Sequence, residues 1–424
     1  MAQEQTVEWK ADSENIYERF IEQYDEAMSG ERELTEGDQD MRYALDLQRE
    51  RVEEKGAKLR YHMTPRGFMA NGHDMKKWTD RHYVSECNYY TCMWEREIES
   101  KQGKSRNQKK KMTFYETKTD VIGGHNVEDE TYVCPGCGAP SKIKELLDGC
   151  KYCGARFKMS ELYPKISNHY MVEDFSFEKG EMKSYLLRFM IPTGLIMFFG
   201  MIIGAIVRGE CPPFRILSLI GYLIGSAFFG VVVGYFLASF SLLFYTIFRA
   251  GQTVPMMGAI GAGKRFEFFV KKYSPEFSYE YFTGKTISLL RMVLFAKDPQ
   301  ELPYYLGGPL PERFRDLVDM LFLGAVSFKG MKEKDGYLHV TVAAFLDNAY
   351  IEDGKIRPSV REKLEVKLVK NLNKPIQYNF SIQKLECENC HGSFDARKNK
   401  VCPYCGTAYK IEDADWAIES IRLV

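Results

Sequence analysis

Most of the cysteines in this chain belong to two copies of one metal-ligand pattern. The two quartets are Cys134-x2-Cys137 with Cys150-x2-Cys153, and Cys387-x2-Cys390 with Cys402-x2-Cys405. Two CxxC knuckles joined by a short loop can place four thiolates around a tetrahedral ion, and Zn2+ is the ion typical of such a set, at about 2.3 Å from each sulfur. The sequence therefore predicts two zinc ribbons, at residues 134–153 and 387–405, that hold two Zn2+ ions.

A structural role for both zinc ions is favoured over the alternatives. Neither CxxC pair stands alone as a redox motif does, and the reduced thiolates that zinc needs argue against disulfides. Four cysteines complete the coordination shell, so the predicted ions stabilise the fold and have no open position for chemistry. His391 could replace a cysteine as a ligand, but four cysteines already complete the coordination shell. Docking of a partner or nucleic acid on the ribbon surface is the alternative role.

The remaining residues offer no convincing catalytic set. Gly258-x4-Gly263-Lys264 approaches a phosphate-binding loop, but Arg265 stands where a Ser or Thr would reach Mg2+, and no strand precedes it. This stretch is predicted to be a flexible linker. His339 and Asp347 point to one face of a predicted strand, yet eight residues at about 3.3 Å each separate them too far for a hydrogen bond. The sequence predicts that the protein is not an enzyme.

Charge gives little support for a nucleic-acid partner. The chain contains 58 Lys+Arg and 58 Asp+Glu, so its net charge is zero. One basic segment, residues 101–111, has six positive charges and no acid. Anionic lipid or RNA phosphates could bind there. A solvated loop of a β-hairpin is the favoured interpretation.

Two apolar runs, residues 189–207 and 216–248, are predicted to anchor the chain, and with it the ribbons, in a membrane. The first has 19 apolar or small residues, enough to cross a hydrocarbon core of about 30 Å. Pro212 and Pro213 keep the loop between the runs from being helical. Together the runs predict a transmembrane helical hairpin in residues 185–250, whose second helix continues along the interface. Small-residue motifs predict close packing of the two helices or of a homo-oligomer: Gly200-x3-Gly204, Gly221-x3-Gly225 and Gly230-x3-Gly234.

The positions of basic residues predict how the hairpin is oriented. The outer flanks of the two runs carry more basic residues than the loop between them, which has Arg208 and Arg215; the flanking residues are Lys179, Lys183, Arg188, Arg249, Lys264 and Arg265. Positive charge concentrates on the cytoplasmic side, where zinc thiolates also stay reduced. We therefore expect a multi-pass protein with both termini in the cytoplasm. The N-terminus has no secretory signal pattern, so the internal runs must drive insertion.

The region after the hairpin has the pattern of an α+β domain. Ser274-Pro275 predicts a helix start, and a second helix is predicted over residues 311–323. Period-two alternation then predicts an antiparallel meander, with a hairpin turn at Lys334-Asp335-Gly336. The predicted strands are residues 326–332, 337–347, 362–369, 378–382 and 416–423.

Residues 270–424 resemble a known family in several motifs. These are Phe277-Ser-Tyr-Glu-Tyr-Phe282, Leu289-Leu290, Asp298-Pro-Gln-Glu-Leu302, the long hairpin and Trp416-x-Ile418-x2-Ile421. They look like the Tim-forty-four-like domain of the mitochondrial import-motor anchor and of bacterial membrane proteins. The resemblance implies a nuclear-transport-factor-two-like cone and a setting in the bacterial cytoplasmic membrane. The zinc insertion is absent from the mitochondrial anchor, whose chaperone-recruiting segment has no equivalent here.

The N-terminal region has a similar order of elements. Helices are predicted over residues 13–28 and 38–55, and strands over 82–97 and 112–121, followed by the first ribbon. The ribbons match further, since Cys153-Gly-x2-Phe157-Lys corresponds to Cys405-Gly-x2-Tyr409-Lys. Both soluble regions could be divergent copies of one architecture. The alternative is that two common ribbons lie in unrelated domains.

The sequence thus predicts four parts and one leading function. Residues 1–178 form an α+β region with ribbon 1, 185–250 the hairpin, 251–273 a linker, and 274–424 an α+β domain with ribbon 2. The leading hypothesis is a membrane-anchored docking or scaffold protein with unidentified protein partners, linked by its resemblance to protein translocation or the assembly of membrane complexes. One alternative is a small-molecule sensor or enzyme, which needs polar groups converging inside the cone. Another is a ribosome or RNA tether.

Overall fold

The computed structural model contains helices and antiparallel sheets in an α+β arrangement of two compact units. The larger unit comprises Met1–Asp174 and Gly258–Val424, and the smaller unit comprises Phe175–Met257. The structure describes residues 16–67, 76–79, 83–101, 103–121, 131–134, 137–142, 145, 150–153, 165–174, 179–209, 216–272, 277, 279–374, 384–387, 389–390, 393–395 and 399–424.

The N-terminal half of the larger unit consists of two helices and a five-stranded sheet. Its elements are α1 (Ile16–Ser29), α2 (Gln39–Glu54), β1 (Ala57–Gly67), β2 (Lys76–Thr79), β3 (Tyr83–Ser100), β4 (Ser105–Val121), β5 (Thr131–Val133), β6 (Pro140–Lys142) and β7 (Lys165–Glu173). The sheet order is β1-β3-β4-β7 with β2 paired to β3, and β5 and β6 form a separate two-stranded sheet. Apolar residues at helical spacing, Phe20 and Tyr24 among them, bury one face of α1.

The C-terminal half of the larger unit repeats this plan. After α3 (Lys179–Val207) and α4 (Ile216–Val270), its elements are α5 (Tyr279–Phe295), β8 (Leu317–Lys334), β9 (Tyr337–Glu352), β10 (Lys355–Ile356), β11 (Val360–Asn371), β12 (Lys384–Glu386), β13 (Ser393–Asp395), α6 (Ile411–Ala414) and β14 (Ala417–Leu423). The sheet order is β8-β9-β11-β14, with β10 paired to β9. Asp335 and Gly336 form the β8–β9 turn, both at positive φ (53° and 79°), as a two-residue hairpin requires.

The two halves correspond in detail as well as in strand order. In each half the ribbon is inserted between the third and fourth strands of the path, β4 and β7 or β11 and β14. In each half the pairing of these strands shifts register at one place, after Thr117 or after Lys367. The residue beyond the shift on the fourth strand also forms a parallel bridge to the segment after the first helix, Ile166 to Gly37 and Ile418 to Tyr305. The larger unit therefore contains one architecture twice.

Hydrogen bonds at these bridges match as well. The amide of Ile166 donates to the Glu36 carbonyl at 2.8 Å, and the amide of Asp38 donates to the Ile166 carbonyl at 3.0 Å. Ile418 makes the same two bonds, with the Tyr304 carbonyl at 2.8 Å and the Leu306 amide at 2.8 Å. Since these bonds fix the start of the fourth strand, both halves hold that strand by the same device.

Helix α2 is the main departure from this internal correspondence. Asp38 caps α2 by accepting a hydrogen bond from the Met41 amide at 2.7 Å. The equivalent segment of the C-terminal half is only a 3-10 helix, Glu312–Asp316. Arg51, on α2, donates to four backbone carbonyls of the other half, those of Phe295, Ala296, Phe314 and Arg315. Helix α2 thus joins the two halves.

Buried charges also join the two halves. The Arg96 guanidinium on β3 lies 2.6 Å from the Asp319 carboxylate on β8, and both side chains are almost fully buried. Tyr61 and Gln48 donate to the same carboxylate at 2.6 Å and 2.9 Å. On the other side, Lys285 lies between Asp40 at 3.3 Å and Asp415 at 3.0 Å. The partners satisfy these charges, as burial requires.

Three expectations from the sequence were wrong. Residues 311–323 contain the short 3-10 helix and then β8 instead of an α-helix, because nearly every residue at the start of β8 is buried and such a run has no strand alternation. Most of the basic segment 101–111 lies in β4 and not in a hairpin loop. The expected linker over 251–273 is helical through Val270, as part of α4.

Other expectations agree with the structure or fall outside the described residues. Helix α2 and the strands β3, β9, β11 and β14 lie where the sequence places them, apart from their ends. The expected helix start at Ser274-Pro275, the strand at 378–382 and His391 lie outside the described residues.

The smaller unit contains two long helical segments that cross closely. Met182–Val207 and Ile216–Phe244 are long and apolar enough to cross a membrane. A Cβ atom built on Gly230 would lie 2.6 Å from the Gly194 Cα, and one on Gly234 would lie 2.6 Å from the Met190 Cα. The Gly230-x3-Gly234 motif therefore lies at the helix crossing, where it allows close backbone approach. Gly221, from another motif, has open space at its Cβ position.

Candidate functional site: two metal centres

The structure brings all eight predicted cysteine ligands into two quartets. Within each quartet the four Sγ atoms lie within 4.8 Å of one another. The Sγ distances are 3.7 Å for Cys134–Cys153 and for Cys137–Cys150, and 3.6 Å for Cys387–Cys405 and for Cys390–Cys402. A tetrahedron with arms of about 2.3 Å has edges of about 3.8 Å, whereas a disulfide measures about 2.05 Å. The spacing therefore fits two tetrahedral metal sites, for which zinc is plausible.

Backbone turns at the knuckles place the sulfurs. In ribbon 1 the Gly138 amide donates to the Cys134 carbonyl at 2.8 Å, and the Cys134 amide donates to the Ala139 carbonyl at 3.0 Å. In ribbon 2 the Gly406 and Cys402 amides make the corresponding bonds, both at 2.9 Å. Both glycines have positive φ, 75° and 73°, where a side chain would be strained.

Each knuckle buries its first cysteine and exposes its second. Cys134, Cys150, Cys387 and Cys402 are at most 3% exposed. Cys387 and Cys402 belong to the hydrophobic cluster of the C-terminal half, with Ile411 and Trp416. Since the buried sulfurs pack with that core, ribbon 2 is part of the C-terminal half and not an appendage. This arrangement fits structural ions that stabilise the fold.

Hydrogen bonds around the sulfurs shift the pKa values of three cysteine thiols in different directions. The amides of Cys153 and Tyr152 donate to Cys150 and lower the pKa of its thiol to about 6. The hydroxyl and amide of Thr407 lower the pKa of Cys405 to about 6. The Ala139 amide lowers the pKa of Cys137, but desolvation and hydrogen bonds with the other three sulfurs raise it to about 12. A metal ion must displace these shared protons. The affinity of the site for a metal ion should therefore decrease as the pH decreases.

The two ribbons contact each other and present matching tyrosines. A Cβ atom at Gly138 of ribbon 1 would lie 3.1 Å from the Tyr404 hydroxyl of ribbon 2. Tyr152 and Tyr404 each precede the last cysteine of their quartet and are 64% and 61% exposed. The Lys151 ammonium lies 5.6 Å from the Tyr152 ring centroid. The Tyr404 side chain of ribbon 2 thus lies against the Gly138 backbone of ribbon 1.

The structure does not bring His339 and Asp347 together. The His339 Nδ1 lies 2.8 Å from the Glu419 carboxylate. The Asp347 carboxylate lies near Lys110 at 3.4 Å and Arg96 at 3.8 Å. The Gly258-x4-Gly263-Lys264 stretch is helical, so its backbone does not form a phosphate-binding loop.

A polar row inside the N-terminal half was missed in the sequence. Asn88 on β3 pairs with Glu116 on β4, and Glu116 pairs with His169 on β7. All three side chains are at most 4% exposed. Alternation of Asn88 with Tyr90, Cys92 and Trp94 along β3 was a usable signal. The sequence gives no strand pairing, however, so it does not show that the three polar residues meet.

Comparison with known proteins shows no family for this chain. No protein-family model matches the chain, no curated protein is significantly similar to it, and no solved structure matches its fold significantly.

Proposed function

We propose that this protein is a membrane-anchored docking protein whose paired zinc ribbons bind a partner protein. The observation that supports the proposal is the contact between the ribbons, each of which exposes one tyrosine, Tyr152 or Tyr404. Amphipathic aromatic side chains are enriched at protein interfaces, and rigid tyrosines lose little entropy on binding. Two structural ions would hold this surface in place.

The membrane hairpin would anchor that surface. Both long helices expose large apolar side chains along most of their length, including Ile196, Phe199, Leu223 and Phe236. A lipid environment would cover such a surface. The distribution of basic residues supports insertion with both termini in the cytoplasm. The family resemblance is what suggests a bacterial cytoplasmic membrane.

The family resemblance remains part of the proposal. The α+β order and the helix-then-meander topology are compatible with a nuclear-transport-factor-two-like cone in each half, and with a Tim-forty-four-like C-terminal domain. Such a domain would suit a role in protein translocation or in the assembly of membrane complexes. In this reading the zinc ribbons are insertions that add a docking surface to each cone.

A role as an RNA tether has less support from the side-chain contacts of the basic segment. Lys109 pairs with Glu95, Lys110 lies 3.4 Å from Asp347, and Lys111 lies 3.7 Å from Asp174. These acids neutralise much of the charge that RNA phosphates would need. Salt-dependent RNA binding that disappears on neutralising these lysines would favour the tether over the docking protein.

The test uses the full-length chain in native membranes with a photo-crosslinking amino acid at position 152 or 404. We expect the same partner adduct from both positions, and none from position 334, an exposed lysine in the β8–β9 hairpin. Cys405→Ser should abolish the adduct by unfolding ribbon 2. Extraction at alkaline pH should leave the chain in the membrane fraction. Adducts that are equally strong from position 334, or release of the chain by alkali, would contradict the proposal.

A further inference from the structure

A groove on the smaller unit lies along α3, close to the start of its apolar span. Its volume is about 560 Å³, which is within the range of ligand-binding pockets, about 300–1,000 Å³. The described residues that line it are Lys183, Ser184, Leu187, Arg188, Ile191 and Pro192. No carboxylate is among them. The described lining therefore begins with polar and basic side chains and becomes apolar further along the helix.

The two basic side chains of the groove are available to bind an anion. Lys183 and Arg188 are exposed and have no hydrogen bond or ion pair with the described residues. Ser184 lies one helical turn before Arg188, so its hydroxyl is on the same side of the helix. An ammonium, a guanidinium and a hydroxyl can all donate to the oxygens of one phosphate group. This part of the groove therefore suits a phosphate.

The position of these residues along α3 corresponds to the depth of lipid headgroups. The candidate span Met182–Val207 has 26 residues and is about 39 Å long, which exceeds a hydrocarbon core of about 30 Å. In a bilayer, the ends of this helix must therefore lie among the headgroups. Lys183 is the second residue of the span, and the Arg188 side chain tilts back toward the N-terminal end of the helix. Both cations can thus reach the phosphate level.

The contacts between α3 and α4 involve other residues of α3. The Tyr185 hydroxyl donates a hydrogen bond to Ser241 on α4 at 3.0 Å, and Gly194 lies at the helix crossing. Leu187 and Ile191, the apolar residues of the groove, remain 40% and 58% exposed. The described helix contacts thus leave the apolar part of the groove open, and an acyl chain can cover it.

We propose that this groove binds one anionic phospholipid of the cytoplasmic leaflet, whose phosphate contacts Lys183 and Arg188. One acyl chain lies along Leu187 and Ile191. A zwitterionic phospholipid brings a cation of its own, which the two basic side chains repel, so the groove prefers a lipid with net negative charge. The inference rests on the membrane anchor of the proposed function and adds the class of lipid that the anchor recognises.

The test uses the full-length protein in lipid nanodiscs that contain two phospholipids in equal amounts. Dioleoyl phosphatidylglycerol has a net negative charge, and dioleoyl phosphatidylcholine has the same acyl chains but is zwitterionic. Native mass spectrometry identifies the lipid that stays bound when the protein is released from the nanodisc. We expect one molecule of phosphatidylglycerol, enriched about tenfold or more over phosphatidylcholine, because two cations contact it.

Variants of the two cations test the groove, and a third arginine gives a matched control. The double variant Lys183→Gln, Arg188→Gln should reduce the enrichment to about twofold or less, because both positive charges are lost. Arg188→Lys keeps the charge and should retain most of the enrichment. Arg208→Gln removes an exposed arginine just after the other end of α3 and should leave the enrichment unchanged.

Three results would overturn the lipid site while leaving the membrane anchor intact. The two lipids are retained equally, the double variant keeps the enrichment, or Arg208→Gln loses as much of it as the double variant does. Displacement of phosphatidylglycerol by excess inorganic phosphate would also overturn it, because the groove would then bind free phosphate. Extraction at alkaline pH separates the two failures. A chain that alkali releases contradicts the anchor and this site together, whereas a chain that stays in the membrane without lipid enrichment contradicts only the site.

Discussion

The N-terminal and C-terminal halves of the larger unit have the same topology but different interiors. Both have a four-strand path with a ribbon before the last strand, the same register shift and the same parallel bridge. In the C-terminal half, valine and isoleucine occupy the row that Asn88, Glu116 and His169 occupy in the N-terminal half. The difference shows that backbone pairing maintains this fold while the interior row is free to vary.

Ribbon 2 joins the hydrophobic core of its half. Cys387 and Cys402 are members of the C-terminal hydrophobic cluster, and Cys134 and Cys150 of ribbon 1 are buried as well. The C-terminal half thus combines an apolar row with a ribbon that packs with its core, and the corresponding row of the N-terminal half is polar.

The largest expected effect comes from removing one cysteine of the quartet in each half. Cys402→Ser should lower the metal content from two ions per chain to one and reduce the free energy of unfolding by more than about 4 kcal/mol, because this sulfur is part of the core. Cys134→Ser should also cost one ion, and its loss of stability shows whether ribbon 1 supports the fold as much as ribbon 2 does. Elemental analysis and thermal unfolding in detergent measure both. Equal losses of stability would show that the ribbons are integrated alike.

Breaking the buried charge contact between the halves should have the next largest effect. Arg96→Met leaves the buried Asp319 carboxylate without its cation and should cost about 3–5 kcal/mol. Lys109→Met on the neighbouring strand breaks an exposed pair with Glu95 and should cost less than about 1 kcal/mol. Denaturant unfolding compares the two variants. A small loss for Arg96→Met would indicate that Tyr61 and Gln48 suffice to hold Asp319.

Exchanging interior residues between the halves should change stability in opposite directions. Glu116→Val should raise the free energy of unfolding by about 1–3 kcal/mol, because it removes an unpaired buried carboxyl. Val366→Glu should lower it by a similar amount or more, because it creates such a group. Thermal unfolding at pH 7 tests both. A loss of stability in Glu116→Val would show that Glu116 has a structural partner.

The stability gained by Glu116→Val should increase as the pH rises. The folded state raises the pKa of Glu116, so the folded protein retains a proton that the unfolded chain releases. The unchanged protein therefore loses stability as pH rises above about 4.3, the unfolded pKa. The gain on Glu116→Val should be smallest at acidic pH and grow as pH rises. Glu116→Gln should remove this pH dependence. If the stability gained by Glu116→Val does not change with pH, the folded state does not raise the pKa of Glu116.

The smallest expected effect involves Glu419, which lies at the shared register shift. Its carboxylate pairs with His339 at 2.8 Å and Lys367 at 2.9 Å, but all three side chains are partly exposed. Partial burial opposes ionisation, yet these two partners hold the pKa of Glu419 below its usual range. Glu419→Gln should therefore cost less than about 1 kcal/mol at pH 7, and the difference should vanish as pH falls below the folded pKa. A larger loss would indicate that the side chain, and not only the backbone, maintains the shift.

The sequence by itself determined the local features of this protein. The spacing of the cysteines predicted which eight of them form the two quartets, because a CxxC knuckle brings its two sulfurs together through its own turn. The length of the two apolar runs predicted both candidate membrane helices. The Lys334-Asp335-Gly336 segment predicted the β8–β9 turn. Each of these features depends on residues that are close in sequence.

Only the tertiary structure decided which distant residues meet. Residues 317–323 of β8 resemble a helix in sequence, because burial on both faces removes the alternation that marks a strand. Strand pairing brings Asn88, Glu116 and His169 into one row, and packing of the two halves places Arg96 on Asp319. These contacts depend on sheet register and on the docking of separate elements, which no local pattern of residues specifies.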